Sequence, residues 1–262
     1  MIYETIFESE KYQKNFKTIV FVDYDSLFWG LYNTMGELPD MRSLLQNIRQ
    51  RNLASLRVRI FGDFSKPELK REISHLRSVT TDIISCELEH REVKKDITDF
   101  VMLDHIYQSV LLSGDFEQYI LVTGDGHFQS VATFLRVYQN KIVGLYGVKG
   151  TISPRLKGSV SWAVEIRPQE EITLKSKYVQ DILYVLKQAA INDKKAFFKK
   201  TVQSAAESFK NGNKRDYARY NRALGLLMER GYVKQEQELS LNGNGITVIS
   251  VLWDKVERDK LF

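Results

Sequence analysis

Aspartates recur in this sequence where apolar runs stop. Asp23 and Asp25 follow one run in Val22-Asp23-Tyr24-Asp25-Ser26, Asp63 ends a second after Gly62, and Asp125 ends a third in Thr123-Gly124-Asp125-Gly126-His127. Asp96, Asp99 and Asp104 lie on a further stretch that opens with Lys95-Asp96-Ile97-Thr98-Asp99-Phe100. A single carboxylate at a strand end is commonly a cap or turn residue. Several gathered within a few Å raise one another's pKa and destabilise the fold unless a cation neutralises them, so a converging set implies a bound metal. Oxygen donors alone suit Mg2+ or Mn2+, hard ions that keep waters available for chemistry.

Convergence needs elements to bring it about. Residues 18–166 alternate short apolar runs rich in β-branched residues with stretches of helical periodicity, which predicts an α/β fold built on a doubly wound, mostly parallel sheet. The expected strands are Thr18–Asp23, Leu56–Gly62, Thr81–Leu88, Gln118–Thr123 and Lys141–Gly147, with helices near 40–52, 66–77, 96–112 and 127–139. Ser65-Lys66-Pro67-Glu68 reads as a helix start with a Ser cap and an early Pro. In such sheets ligands collect beyond the carboxyl ends of the strands, which is where the aspartates stand. At ~100° per residue Asp96 and Asp99 share a helix face, and the start of that helix is expected to meet the metal. Asp96 has a plain alternative role as a carboxylate favoured by the helix dipole.

A polar stretch, 168–177, reads as a linker between a first domain, 1–167, and a second, 178–262. The second shows three amphipathic helices, Tyr178–Ala190, Ala196–Phe209 and Asp216–Arg230, the last stopping at Gly231. Two extended runs then flank Asn242-Gly243-Asn244-Gly245, a hairpin signal. Helix, helix, helix and hairpin is the order of a winged helix. Lys214, Arg215, Arg219 and Arg222 crowd the third helix, where such a module meets phosphates; a merely solvated face is the alternative.

Composition excludes several classes. The 262 residues carry 38 Lys+Arg against 33 Asp+Glu, for a net charge of +5, and the positive excess falls after Arg167. No stretch approaches the ~20 apolar residues of a membrane span, and the amino terminus lacks a basic-then-apolar export signal, so a cytoplasmic protein without a membrane partner is expected. The single cysteine, Cys86, excludes disulfides and cysteine-built zinc sites and reads as a buried thiol. The apolar stretch Ile2–Phe7 packs either on its own sheet or on a second copy in a homo-oligomer.

The stretch from Ile19 to Ile166 resembles the NYN domain family of PIN-like ribonucleases. Four motifs carry the resemblance: VDYDS at 22–26, IFGDF at 60–64, KKDITDF at 94–100 and LVTGDGHF at 121–128. It implies that Asp23, Asp99 and Asp125 are the metal-binding and catalytic aspartates, that Asp25 and Asp96 are auxiliary, and that the reaction is metal-assisted cleavage of RNA phosphodiester bonds. DNA stays open as a substrate. Ser26 stands where the family has Asn, His127 replaces a final acidic residue, and Asp104 is one position off the family's spacing. His127 is either a ligand for a softer ion such as Mn2+ or a surface residue. Lys94, Lys95 and Arg155 are candidate phosphate contacts, and Tyr24, Phe28, Trp29 and Tyr32 are either base-stacking or core aromatics.

Rival readings are weighed against the same residues. A haloacid-dehalogenase-type phosphatase needs a further acid soon after Gly124-Asp125, and Gly126-His127-Phe128-Gln129-Ser130 has none. A dinucleotide-binding oxidoreductase needs a Gly-x-Gly-x-x-Gly turn after the first strand, which is missing. A nucleic-acid-binding regulator on a decayed nuclease scaffold is the rival that Ser26, His127 and the basic third helix favour.

Overall fold

Strands with apolar residues on both faces need a sheet covered on both sides. Ile19-Val20-Phe21-Val22 and Tyr119-Ile120-Leu121-Val122 are such runs, and all eight residues are buried. The computed structural model describes residues 1–8, 15–51, 53–86, 97–113, 115–209, 212–239 and 245–262. The chain divides into two units, Met1–Gly30 with Pro39–Gln169, and Leu31–Leu38 with Glu170–Phe262.

Strands β1 (Ile2–Glu8), β2 (Phe16–Asp23), β3 (Leu53–Gly62), β4 (Ile83–Ser85), β5 (Gln118–Val122), β6 (Ile142–Val148) and β7 (Trp162–Arg167) make one sheet in the first unit. Their order is β1-β7-β6-β5-β2-β3-β4. β1 runs antiparallel to β7 and every other pair is parallel. The chain winds outward from β2 through β3 to β4, then returns to β5 on the other side of β2 and winds outward again. Winding therefore reverses between β2 and β5.

The helices are α1 (Tyr24–Met35), α2 (Met41–Arg49), the short α3 (Pro67–Lys70) and α4 (Ile73–Arg77), α5 (Ile97–Ser113), α6 (Gln129–Thr133) and α7 (Pro154–Gly158). A 3-10 turn, Gly126–Phe128, precedes α6, and a π-helical stretch, Phe134–Tyr138, follows it. Ile19, Phe21, Tyr119, Leu121, Val143 and Leu145 on one face of the sheet share a core with Met102 and Ile106 of α5 and with Phe128, Val131 and Leu135. Each large apolar side chain so buried contributes roughly 1.5–3 kcal/mol. That packing holds the first turn of α5 at the sheet edge where β2 and β5 end.

All five expected strands form, with shifted ends; the third, expected over Thr81–Leu88, is described only for Ile83–Ser85, and 87–88 lie outside the described residues. β7 was not expected. Ile2–Phe7 finds its partner in its own sheet, as the antiparallel edge. α1 was not expected either, and the helix expected at 66–77 is two short ones. Ser65 is not its cap: Lys66 holds the cap position, Pro67 the first turn, and the Ser65 hydroxyl donates to Asp63 Oδ1 instead.

The second unit holds α8 (Lys177–Ile191), α9 (Phe198–Phe209), α10 (Lys214–Glu229), the antiparallel pair β8 (Val233–Leu239) and β9 (Gly245–Val251), and an unexpected α11 (Trp253–Arg258). Ala196, between α8 and α9, bridges to Ile249 of β9. Gly231 takes a φ of +69° and its amide donates to the Met228 carbonyl, the left-handed stop expected after α10. Ile182, Leu183, Val202, Leu224, Leu227 and Ile249 centre a separate core. Residues 242–244 of the hairpin turn lie outside the described residues. Among the described residues no helix is long and apolar enough to cross a membrane.

Candidate active site

Where winding reverses, adjacent strand ends part and leave a crevice. Asp23 is the last residue of β2 and Asp125 follows β5, so the crevice is flanked by acid from both sides. Asp23 Oδ1 accepts the Ser26 amide at 3.0 Å, which caps the start of α1. Its Oδ2 accepts the Thr123 hydroxyl at 3.0 Å, and that hydroxyl oxygen accepts the Asp125 amide at 3.1 Å. Asp23 is 3% exposed. Burial pushes its pKa up to about 7; the Ser26 hydrogen bond opposes this, the Asp99 charge adds to it, Thr123 opposes it and Asp25 adds again.

The Asp125 turn is held from behind. A Cβ on Gly124 would stand 2.6 Å from the Thr151 carbonyl oxygen, so only glycine lets the loop after β6 approach this closely. The Ser153 amide donates to the Gly124 carbonyl at 2.9 Å, and Asp125 Oδ1 accepts the His127 amide at 2.9 Å, capping the 3-10 turn. His127 Nδ1 then lies 3.4 Å from Asp125 Oδ1 and 3.6 Å from Oδ2 of Asp99 in the first turn of α5. The three residues offer one ligand atom each, all within 4.8 Å of one another.

The crevice opens into a cleft of about 490 Å³ lined by Asp23, Asp25, Ser26, Trp29, Asp63, Lys66, Cys86, Ile97, Thr98, Asp99 and Asp125. Two sub-clusters differ in charge balance. Asp25 accepts Lys66 Nζ on Oδ1 and the Asp63 amide on Oδ2, both at 2.6 Å, and Lys66 Nζ also lies 3.4 Å from Asp63. Against the cost of burial, Asp25 and Asp63 hold the Lys66 ammonium above its usual range; against the same cost, Ser65 and Lys66 hold Asp63 below its own. Among the described residues Asp23 and Asp125 show no such lysine, and His127 lies beside Asp125 and Asp99. Cys86 lines the cleft as a thiol, pushed up to about 11 by burial, and is no nucleophile at neutral pH.

The structure thus brings the three principal aspartates of the sequence reading to one cleft. Asp25 is there too, with both oxygens engaged. Lys94, Lys95 and Asp96 lie outside the described residues. Asp104 is exposed and accepts Gln108 at 2.6 Å, away from the cleft lining. Tyr24 and Phe28 are core, whereas Trp29 reaches the cleft. Arg155 is exposed on α7, which packs against the 3-10 turn bearing His127. Sequence reading missed Lys66 and Thr123. Lys66 stands inside a helix-start signal in the sequence, and its partner Asp25 lies 41 positions away. In the second unit Lys214 and Arg215 are exposed on the first turn of α10. Arg219 instead donates to the Tyr178 hydroxyl at 2.7 Å and pairs with Glu37 at 3.4 Å, and Arg222 pairs with Glu229 at 2.6 Å.

Two carboxylates and an imidazole at these separations, beside a third carboxylate that burial and like charge destabilise, are a donor set suited to a divalent cation. No curated protein matches the chain. A crystal structure of a protein of unknown function from Vibrio parahaemolyticus is similar in fold, with a TM-score of 0.51 and 18% identity, covering 62% of this chain and 100% of that one. The NYN domain model matches residues 17–165, the stretch from β2 to β7 that carries all three aspartates, and the chain therefore belongs to the NYN domain family of nuclease-like domains.

Proposed function

We propose that the protein is a metal-dependent endoribonuclease that hydrolyses RNA phosphodiester bonds in the cleft between β2 and β5. The observation that carries this reading is the meeting of Asp99, Asp125 and His127, ligand atoms within 4.8 Å, beside the buried Asp23. Asp23, Asp99 and Asp125 would hold Mg2+ or Mn2+. The bound ion supplies a water of lowered pKa and offsets charge on the phosphate. Lys66 bridges Asp25 and Asp63 and offsets part of their negative charge. Arg155, exposed on α7, is proposed to meet a phosphate of the entering strand, as are Lys94 and Lys95.

The second unit supports a nucleic-acid-binding role. Its order is helix, bridge at Ala196, helix, helix, hairpin, which is that of a winged helix with α10 in the recognition position. Lys214 and Arg215 would contact phosphates there, while Arg219 is engaged by Tyr178 and Glu37 and Arg222 by Glu229 of the same helix.

The test is incubation with labelled single-stranded RNA, and DNA in parallel, with Mn2+, with and without chelator, beside Asp125→Asn. Chelator-sensitive cutting by the native protein alone is expected. Binding with no chelator-sensitive cutting would overturn the enzyme and favour a regulator that uses the same surface.

A further inference from the structure

We infer that His127 is a metal ligand and makes this site select a first-row transition cation, Mn2+ among them, over Mg2+. The inference rests on the metal-dependent reading and adds to it the choice of ion.

Three observations point the same way. His127 Nδ1 sits between carboxylates of two different elements, 3.4 Å from Asp125 and 3.6 Å from Asp99. Neighbouring ligands around an ion with bonds of about 2.0–2.2 Å stand roughly 3 Å apart, so these atoms need to close by only a few tenths of an ångström. The backbone of His127 is fixed by the hydrogen bond its N–H donates to Asp125 Oδ1, which holds the ring's origin beside the carboxylates. The ring itself is 64% exposed, so core packing does not account for where it points.

The chemistry decides the ion. Mg2+ is a hard cation that takes oxygen donors and gives up water reluctantly, so a nitrogen in its shell adds little affinity. Imidazole nitrogen adds much more to first-row transition ions, and carboxylates serve Mn2+ equally well. Three carboxylates already exceed the charge of one divalent ion, so a neutral imidazole at 127 adds a donor without the further negative charge that a fourth acid there would bring.

The test uses the full chain at pH 8, titrated calorimetrically with Mn2+ and separately with Mg2+, with His127→Asp, His127→Ala and Asp125→Asn alongside. The native protein should bind Mn2+ with a preference over Mg2+ that falls on the order of tenfold in both His127 variants, since each removes the nitrogen donor. Mn2+ electron spin echo spectra should show coupling to imidazole nitrogen in the native protein and lose it in His127→Asp. If Mn2+ binds, Asp125→Asn abolishes that binding, and yet no nitrogen coupling appears and the ion preference is unchanged, the inference fails while the metal site stands. If neither ion binds the native protein, both fail together.

Discussion

The cleft and α10 both gather charge, and they handle it in opposite ways. In the body of α10 the arginines find counterparts: Arg219 takes Tyr178 and Glu37, and Arg222 takes Glu229. In the cleft Lys66 satisfies Asp25 and Asp63, but Asp23 is buried with its pKa pushed up to about 7, and Asp99 and Asp125 converge on one histidine. Compensated charge belongs to the architecture. A carboxylate buried at a cost, as Asp23 is, is held in place by the rest of the fold and marks where a ligand of opposite sign completes the structure.

The comparison breaks most decisively at Asp125. Asp125→Asn is expected to lower Mn2+-supported RNA cleavage on the order of 10³-fold, while the melting temperature without metal stays within a degree or two. If cleavage survived, the converging acids would not be the reacting site.

Asp23 sharpens it through stability. The carboxyl is easier to protonate when folded, with a pKa of about 7 against 3.8, so its contribution is full below about pH 4 and is lost as pH rises through about 7. Without metal, Asp23→Asn should therefore leave stability at pH 4 nearly unchanged and raise it at pH 8 by about 2–4 kcal/mol. Chemical denaturation at the two pH values checks this. Equal effects at both would mean that Asp23 is not under electrostatic load.

Lys214 and Arg215 should matter less, and only for binding. Their double replacement by Ala is expected to weaken single-stranded RNA affinity by about tenfold and to flatten its salt dependence by about two counterions, with cleavage of bound RNA unchanged. Arg222→Ala should be smallest, within about 0.5 kcal/mol of stability, since it removes a pair with the exposed Glu229. A large loss of RNA affinity there would move Arg222 from the architecture to the interface.

Much of this was legible in the sequence, for physical reasons that can be named. β2 and β5 are buried on both faces and read as unbroken apolar runs, so their ends, and hence Asp23 and Asp125, could be placed. α1 was hidden because it starts at once after β2, with Asp23 serving as strand end and cap together. β7 was hidden because Trp162–Arg167 follows α7 without a strong turn signal, and the unexpected α11 begins at Trp253, which reads as the end of a strand. Long-range pairings were out of reach. Lys66 with Asp25, and His127 with Asp99, depend on the order of strands in the sheet, which local periodicity does not encode.

One bond in the site reaches beyond chemistry. The oxygen of Asp23 that receives the Ser26 amide anchors the opening turn of α1, so the carboxylate is part of the scaffold before any cation arrives. A descendant of this chain that had stopped cutting RNA would still need an acceptor there to begin its first helix, but an Asn would serve it without the buried charge, so an acceptor kept at 23 would be a sign of folding and a carboxylate kept there a sign of the cation.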